Sequence, residues 1–402
     1  MTKQTYKLIN GDCIAEMKKM DANSIDSIVT DPPYEIGFMN KGWDNTGIAY
    51  NKKMWAEALR VLKPGGHMLA FSSTRTYHRM VCAIEDSGFE IRDQLAWIYG
   101  SGFPKSQNVG KMIAKKEKNL KNTKTYMPDV WNGWGTALKP AQEPIVLARK
   151  PLSEKTVAAN VVKHSTGAID IDSSRVATGT DGKGRWPANI IHDGSEEVLE
   201  LFPEAGNGWK KNYGEKDYKG KQYKGGTFGG GGYLGGSTYN DTGSAARFFY
   251  CAKANKQDRD SGCEKLDAKS ITNSKGNGLG RVCNICSASI LKPCDCENNS
   301  WILPATNKNN HPTVKPTALM QYLVRMITPV DGTVLDPFNG SGSTGKAAML
   351  LKKYNYIGID LSADYISISK SRIENAINTT GKIIEDTAID TEEEETNFFI
   401  EQ

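Results

Sequence analysis

The sequence predicts an α/β fold, a doubly wound, mostly parallel sheet carrying an inserted, loop-rich region. Three observations predict it. Short apolar, β-branched runs alternate with helical stretches over residues 6–150 and again over 311–380. A glycine turn, Gly340-x-Gly342-x-x-Gly345, follows one strand and opens a helix, and Asp360 closes the next strand twenty positions beyond Gly340. Between residues 151 and 310 the alternation breaks down.

Taken in order, residues 6–10 read as a strand, Gly11 and Asp12 as its turn, and residues 13–20 as a helix. A strand through Ile28 and Val29 stops at Asp31-Pro32-Pro33-Tyr34. Residues 51–62 place Met54, Trp55, Ala58, Leu59 and Leu62 on one helical face, with Lys63-Pro64-Gly65-Gly66 as the terminator. Strand 67–72, helix 74–86 and strands within 89–99 and 143–148 follow. After His311-Pro312-Thr313-Val314-Lys315-Pro316 come a helix with Leu319, Met320, Leu323, Val324 and Ile327, a strand over 333–335, a helix from Ser343, a strand over 356–360 and a helix from Ala363. These breaks divide the chain into residues 1–150, a loop-rich region over 151–310, residues 311–380 and an acidic tail over 381–402.

Asp31 precedes a proline, so it leaves its strand extended, and Pro32 and Pro33 lack N–H donors. The turn therefore offers a carboxylate and bare carbonyls beside the flat face of Tyr34. A planar group with an exocyclic amine fits: its two N–H bonds go to the acid and a carbonyl, and its ring stacks on the tyrosine. A nucleobase is such a group.

The glycine turn also satisfies the dinucleotide fingerprint, which makes an NAD-binding enzyme a competing reading. Asp336-Pro337-Phe338 separates the two, because it puts an acid and an aromatic where a pyrophosphate wants only N–H donors.

Asp31-Pro32-Pro33-Tyr34, the stretch 336–345 and the stretch 311–316 together resemble the DNA amino-methyltransferases, and their order resembles that family's beta group. The stretches 184–193 and 244–250 resemble segments of phage and prophage members, and the resemblance as a whole implies restriction–modification, with a catalytic half in 1–150, a recognition region in 151–310 and a cofactor half in 311–380. The resemblance implies S-adenosyl-L-methionine-dependent methylation of adenine N6 in double-stranded DNA by base flipping, with a homodimeric assembly. Cytosine N4 is the alternative target, and a DNA-binding module without chemistry is a further one. Carried over by position, Asp31, Pro32, Pro33 and Tyr34 hold the base. Asp336, Phe338, Gly340 and Gly342 surround the methionine part of the cofactor, Asp360 its ribose, and Asp12 with Cys13 its adenine. His311, Thr313, Lys315, Ser341, Ser343 and Thr344 complete the implied cofactor set.

Net charge is +5, although residues 385–402 hold eight acids and no Lys or Arg, so the remainder is more basic still and suits a polyanion. Lysines and tyrosines lead into a glycine-rich stretch at 225–236, read as a linker or as a loop that orders on nucleic acid. Hydrophobic content of 38% and the lack of a membrane-length apolar run or a signal-like start predict a cytoplasmic protein without membrane contact. Of eight cysteines, Cys283, Cys286, Cys294 and Cys296 have the close spacing of a structural zinc site.

Overall fold

The structure, a computed structural model, describes residues 4–37, 44–102, 106–119, 128–176, 184–205, 243–252, 256–264, 266, 282–283, 301–302 and 309–379. The chain opens with β1 (Tyr6–Asn10), α1 (Cys13–Lys18), β2 (Ile25–Thr30), α2 (Lys52–Val61), β3 (Leu62–Phe71), α3 (Tyr77–Asp86) and β4 (Glu90–Ile98). α4 (Val109–Asn119), β5 (Gln142–Arg149), α5 (Val157–His164), β6 (Ile190–His192) and α6 (Glu196–Leu199) follow. Next come β7 (Glu204–Ala205), β8 (Gly243–Ser244), β9 (Tyr250–Cys251), α7 (Lys256–Asp260), β10 (Val282–Cys283) and β11 (Trp301–Ile302). The last part holds α8 (Thr317–Ile327), β12 (Thr333–Asp336), α9 (Ser343–Leu350), β13 (Asn355–Asp360) and α10 (Ala363–Thr379).

Nine strands form one sheet in the order β1-β13-β12-β2-β3-β5-β4-β6-β9. All neighbours run parallel except β5, which is antiparallel to both β3 and β4. β6 and β9, which lie within residues 151–310, extend the sheet beyond β4. Among the described residues β7 pairs with β8, and β10 with β11, outside that sheet.

The alternating side chains of the central strands feed two cores. Val29, Leu69, Phe71 and Val334 join Leu319, Leu323 and Ile327 of α8 on one face. Ile28, Met68, Ala70 and Leu335 join Met17 of α1 and Trp55 and Ala58 of α2 on the other. Every residue of β2 is buried, as a central parallel strand requires.

β3 begins directly after α2, through the expected terminator. Gly65 takes φ +80°. Its N–H donates to the Lys150 carbonyl at 3.1 Å, and the Lys150 N–H donates to the Gly66 carbonyl at 2.9 Å. The antiparallel ladder with the end of β5 thus overrides the local breaker signal.

At the amino edge of the sheet Asp26 ties three strands together. Its carboxylate accepts from Lys63 Nζ at 2.6 Å and from the Thr333 N–H at 2.8 Å, linking β2 to the starts of β3 and β12. Asp26→Ala is expected to cost about 2–3 kcal/mol by stranding both donors. Urea unfolding checks it, with Asp26→Asn falling between the mutant and the parent.

Candidate active site

Parallel strands deliver their following loops to one edge, so the turns after β1, β13, β12 and β2 meet at the carboxyl end of the sheet. Asp12, Asp360, Asp336 and Asp31 arrive there from four adjacent strands and line a cavity of about 720 Å³. The order of strands, not closeness in sequence, gathers these acids. Pro32, Pro33, Tyr34, Cys13, His311, Thr313, Lys315, Phe338, Gly340, Ser341, Ser343 and Thr344 line the same cavity.

At the β2 end of the cavity, Asp31 Oδ2 accepts from Lys315 Nζ at 2.7 Å, while Asp31 Oδ1 is buried with no hydrogen-bond partner among the described residues. Lys315 Nζ also donates to the Tyr34 hydroxyl at 3.1 Å and pairs with Glu143 Oε2 at 3.1 Å. The Tyr34 hydroxyl donates to Glu143 Oε2 at 2.8 Å. The ammonium lies 5.3 Å and 4.9 Å from the ring centroids of Tyr34 and Phe71. Burial alone pulls down the Lys315 affinity for its proton, but Asp31 and Glu143 outweigh burial and hold the ammonium well above the usual lysine range. Burial, then the two carboxylates, push the Tyr34 phenol up, which keeps it a donor.

Lys315, which the resemblance placed in the cofactor set, pairs with the carboxylates of Asp31 and Glu143. Glu143, unforeseen from sequence, is its second anion. β5 runs antiparallel, so its start lies at the same edge as the ends of β2 and β3. The available signal was a carboxylate at the head of a wholly apolar run, Pro144 to Ala148.

At the cofactor side, Asp360 accepts from the Gly340 N–H at 2.7 Å and the Ser362 N–H at 2.8 Å, and burial raises its carboxyl. Asp12 caps α1 by accepting from the Ala15 N–H at 2.9 Å. Burial pushes the Cys13 thiol up to about 12, so it stays protonated. His311 is pushed down to about 4 by burial and is neutral, its Nδ1 lying 2.7 Å from the Thr313 carbonyl. Gly340 is at φ +50°, and a Cβ there would meet His311 Nε2 at 2.8 Å.

Four residues of the expected set, Gly342, Ser341, Ser343 and Asp336, make contacts within the protein. Gly342, at φ +76°, is closed by Ser369 of α10 and does not line the cavity, so a side chain there would disturb α9–α10 packing before it touched a ligand. Arg372, fully buried and missed from sequence, donates from one guanidinium nitrogen to the Ser341 carbonyl (2.6 Å) and to the hydroxyls of Ser341 (3.0 Å) and Ser343 (3.2 Å). Asp336 accepts from Thr30 and Thr344, each at 2.7 Å, and from the Phe338 N–H at 3.1 Å. These bonds tie its two oxygens into the loop.

Among the described residues no group of His, Cys, Asp and Glu is arranged to hold a metal ion, and no helix is long and apolar enough to cross a membrane. Cys286, Cys294 and Cys296 lie outside the described residues, as does the stretch 225–236, while Cys283 lies in β10.

The chain belongs to the DNA methylase family, whose model matches residues 25–371. The Type II methyltransferase M.HindIII of Haemophilus influenzae is 30% identical over 207 residues, 41% of this chain and 65% of that protein. The DNA adenine methyltransferase YhdJ of Escherichia coli is 32% identical over 130 residues, 30% of this chain and 42% of that protein. The chain spans less than two thirds of the length of these two curated relatives. Among solved structures, the PvuII DNA methyltransferase (cytosine-N4-specific) aligns over 94% of this chain and 93% of that one, with a TM-score of 0.45 and 14% identity.

Burial raises the Asp336 carboxyl to about 7, against the hydrogen bonds from Thr344, Thr30 and the Phe338 N–H. A carboxyl raised in the folded chain and ordinary in the unfolded chain contributes its full stability below about pH 4 and loses it as pH rises toward 7. The stability of the parent relative to Asp336→Asn should therefore fall by on the order of 3 kcal/mol between those limits. Urea unfolding of both proteins across that range checks it, and parallel pH profiles would contradict it.

Proposed function

We propose that the protein transfers a methyl group from S-adenosyl-L-methionine to adenine N6 in double-stranded DNA. One observation carries this reading: Asp31, which lines the cavity directly before the donor-free Pro32 and Pro33, has a buried carboxylate oxygen with no hydrogen-bond partner among the described residues. A buried carboxylate oxygen without a donor is costly, and an incoming amine N–H removes that cost. The second N–H of the amine goes to the Pro32 carbonyl.

An exocyclic amine is a poor nucleophile because its lone pair is delocalised into the ring. Two acceptors that draw both N–H bonds out of conjugation let the nitrogen pyramidalise, and the same acceptors stabilise the positive charge that develops on it. Lys315 fixes the carboxylate through Oδ2, so Oδ1 is held in one place. Thr76 fixes the other end of the loop by donating to the Tyr34 carbonyl at 2.8 Å. Inside a duplex the amine is paired, so the base must leave the stack, and the cavity volume of about 720 Å³ suits a large cofactor together with a base.

The residues around the cofactor end fit such a donor. Asp360 and Asp12 provide acceptors, Phe338 and Tyr365 provide apolar faces, and the start of α9 adds the positive end of a helix dipole. When bound, the cofactor supplies an electrophilic sulfonium methyl. The duplex partner is supported by the basic body of the chain and by Trp131 and Trp134, exposed and edge-on at 5.2 Å. They project from the segment whose ends, Tyr99 and Pro140, line the cavity, where stacking on DNA bases is within reach. Aspartate at the head of the motif favours adenine, as does likeness to a relative named for adenine methylation.

The test is base-resolved sequencing of DNA from cells expressing the protein, where N6-methyladenine is expected. N4-methylcytosine alone would reverse the choice of base, and unmodified DNA would contradict methyl transfer. Asp31→Ala should lower single-turnover transfer by about 100-fold, the scale of a lost transition-state partner, while cofactor affinity changes little.

A further inference from the structure

We infer that Glu143 sets the charge of the base clamp: with Asp31 it places two carboxylates around the Lys315 ammonium, leaving one net negative charge beside the reacting amine. The inference deepens the proposed methyl transfer and rests on it. Asp31 paired with Lys315 alone would be a neutral unit, since the ammonium at 2.7 Å offsets the carboxylate that faces the base. A neutral pair offers little to a cation forming on nitrogen. Glu143, 3.1 Å from the same ammonium, restores the missing charge.

The surroundings leave that charge uncompensated. His311 is neutral, the Tyr34 phenol stays protonated, and the Asp336 oxygens are engaged by Thr30 and Thr344. The Lys315 side chain is 7% exposed, so water screens the three charges only weakly. Glu143 itself is oriented by the Tyr34 hydroxyl at 2.8 Å, which makes it a positioning residue for the ammonium and the tyrosine as well as a source of charge. It acts through its contacts with Lys315, which in turn holds Asp31.

A purely structural role is separable from an electrostatic one. Glu143→Gln keeps the shape and an oxygen that can accept from Tyr34 and Lys315, but removes the charge. Glu143→Gln with Lys315→Met removes the ammonium too and returns the clamp to one net negative charge, carried by Asp31. Single-turnover transfer by Glu143→Gln is expected to fall about 10- to 100-fold with DNA affinity within about 3-fold of the parent. The double variant should recover about 10-fold over Glu143→Gln, a non-additivity that lost packing does not produce.

A second readout needs no turnover: calorimetric titration of the full chain with S-adenosylmethionine and with S-adenosylhomocysteine, its uncharged thioether counterpart. Preference for the sulfonium should drop about 3-fold or more in Glu143→Gln, with thioether affinity retained. Thermal unfolding checks that Glu143→Gln is folded, and where only the double variant fails to fold the titration of Glu143→Gln decides. Glu143→Gln with parental transfer and parental sulfonium preference overturns the inference, as does a double variant slower than Glu143→Gln. A parent that binds the sulfonium but modifies no DNA defeats the proposed function, while the titration still judges the charge. A parent that binds neither compound defeats both.

Discussion

The site depends on one buried ammonium. Lys315 joins Asp31, Tyr34 and Glu143, groups brought by the turn after β2, the start of β5 and the segment before α8. Without the two anions, burying this lysine would be unfavourable, and without the lysine two carboxylates would face each other at close range. Neither half is stable alone. The cost of assembling them is met by the packed sheet beneath, and the product is a carboxylate with one oxygen anchored by Lys315 and the other buried with no hydrogen-bond partner among the described residues.

The sheet makes this assembly possible by bringing the ends of strands to one edge. β2 lies next to β12 in parallel, so Thr30 at the end of one donates to Asp336 at the end of the other, and the two loops become a single wall. The antiparallel β5 is the exception that contributes its beginning, not its end, to the same edge. Behind the glycine turn, α7 holds the cofactor side together. Asp258 accepts from the Thr317 N–H at 2.6 Å at the start of α8 and pairs with Lys346 of α9, while its carbonyl accepts from Arg372 at 3.2 Å. Burial works against ionising Asp258, but Lys346 and Thr317 outweigh it and lower its carboxyl.

What was legible in the sequence was local. Two prolines stiffen the turn after Asp31 whatever surrounds it, and a glycine turn between a strand and a helix announces itself by spacing, so both motifs and the alternation around them were readable. The pairing of Lys315 was not legible because the residue was read with its sequence neighbours, whereas its partner Asp31 is distant in the chain. Glu143 depends on strand direction, which the apolar run of β5 does not encode. Gly342 was expected to clear room for a ligand, but the atom it clears room for is in Ser369 on α10. Arg372 lies on a helix whose pattern gives no hint that this arginine is wholly buried. The recognition region was read as separate because β6 and β9, at three and two residues, are too short for their periodicity to stand out.

The measurement that bears most directly on the account is a crystal structure of the full chain with duplex DNA and an unreactive cofactor analogue. The flipped amine nitrogen should lie about 2.7–3.2 Å from Asp31 Oδ1, with Oδ2 still held by Lys315. An amine bound elsewhere in the cavity, or one that displaces Lys315 to reach Oδ2, would contradict the clamp.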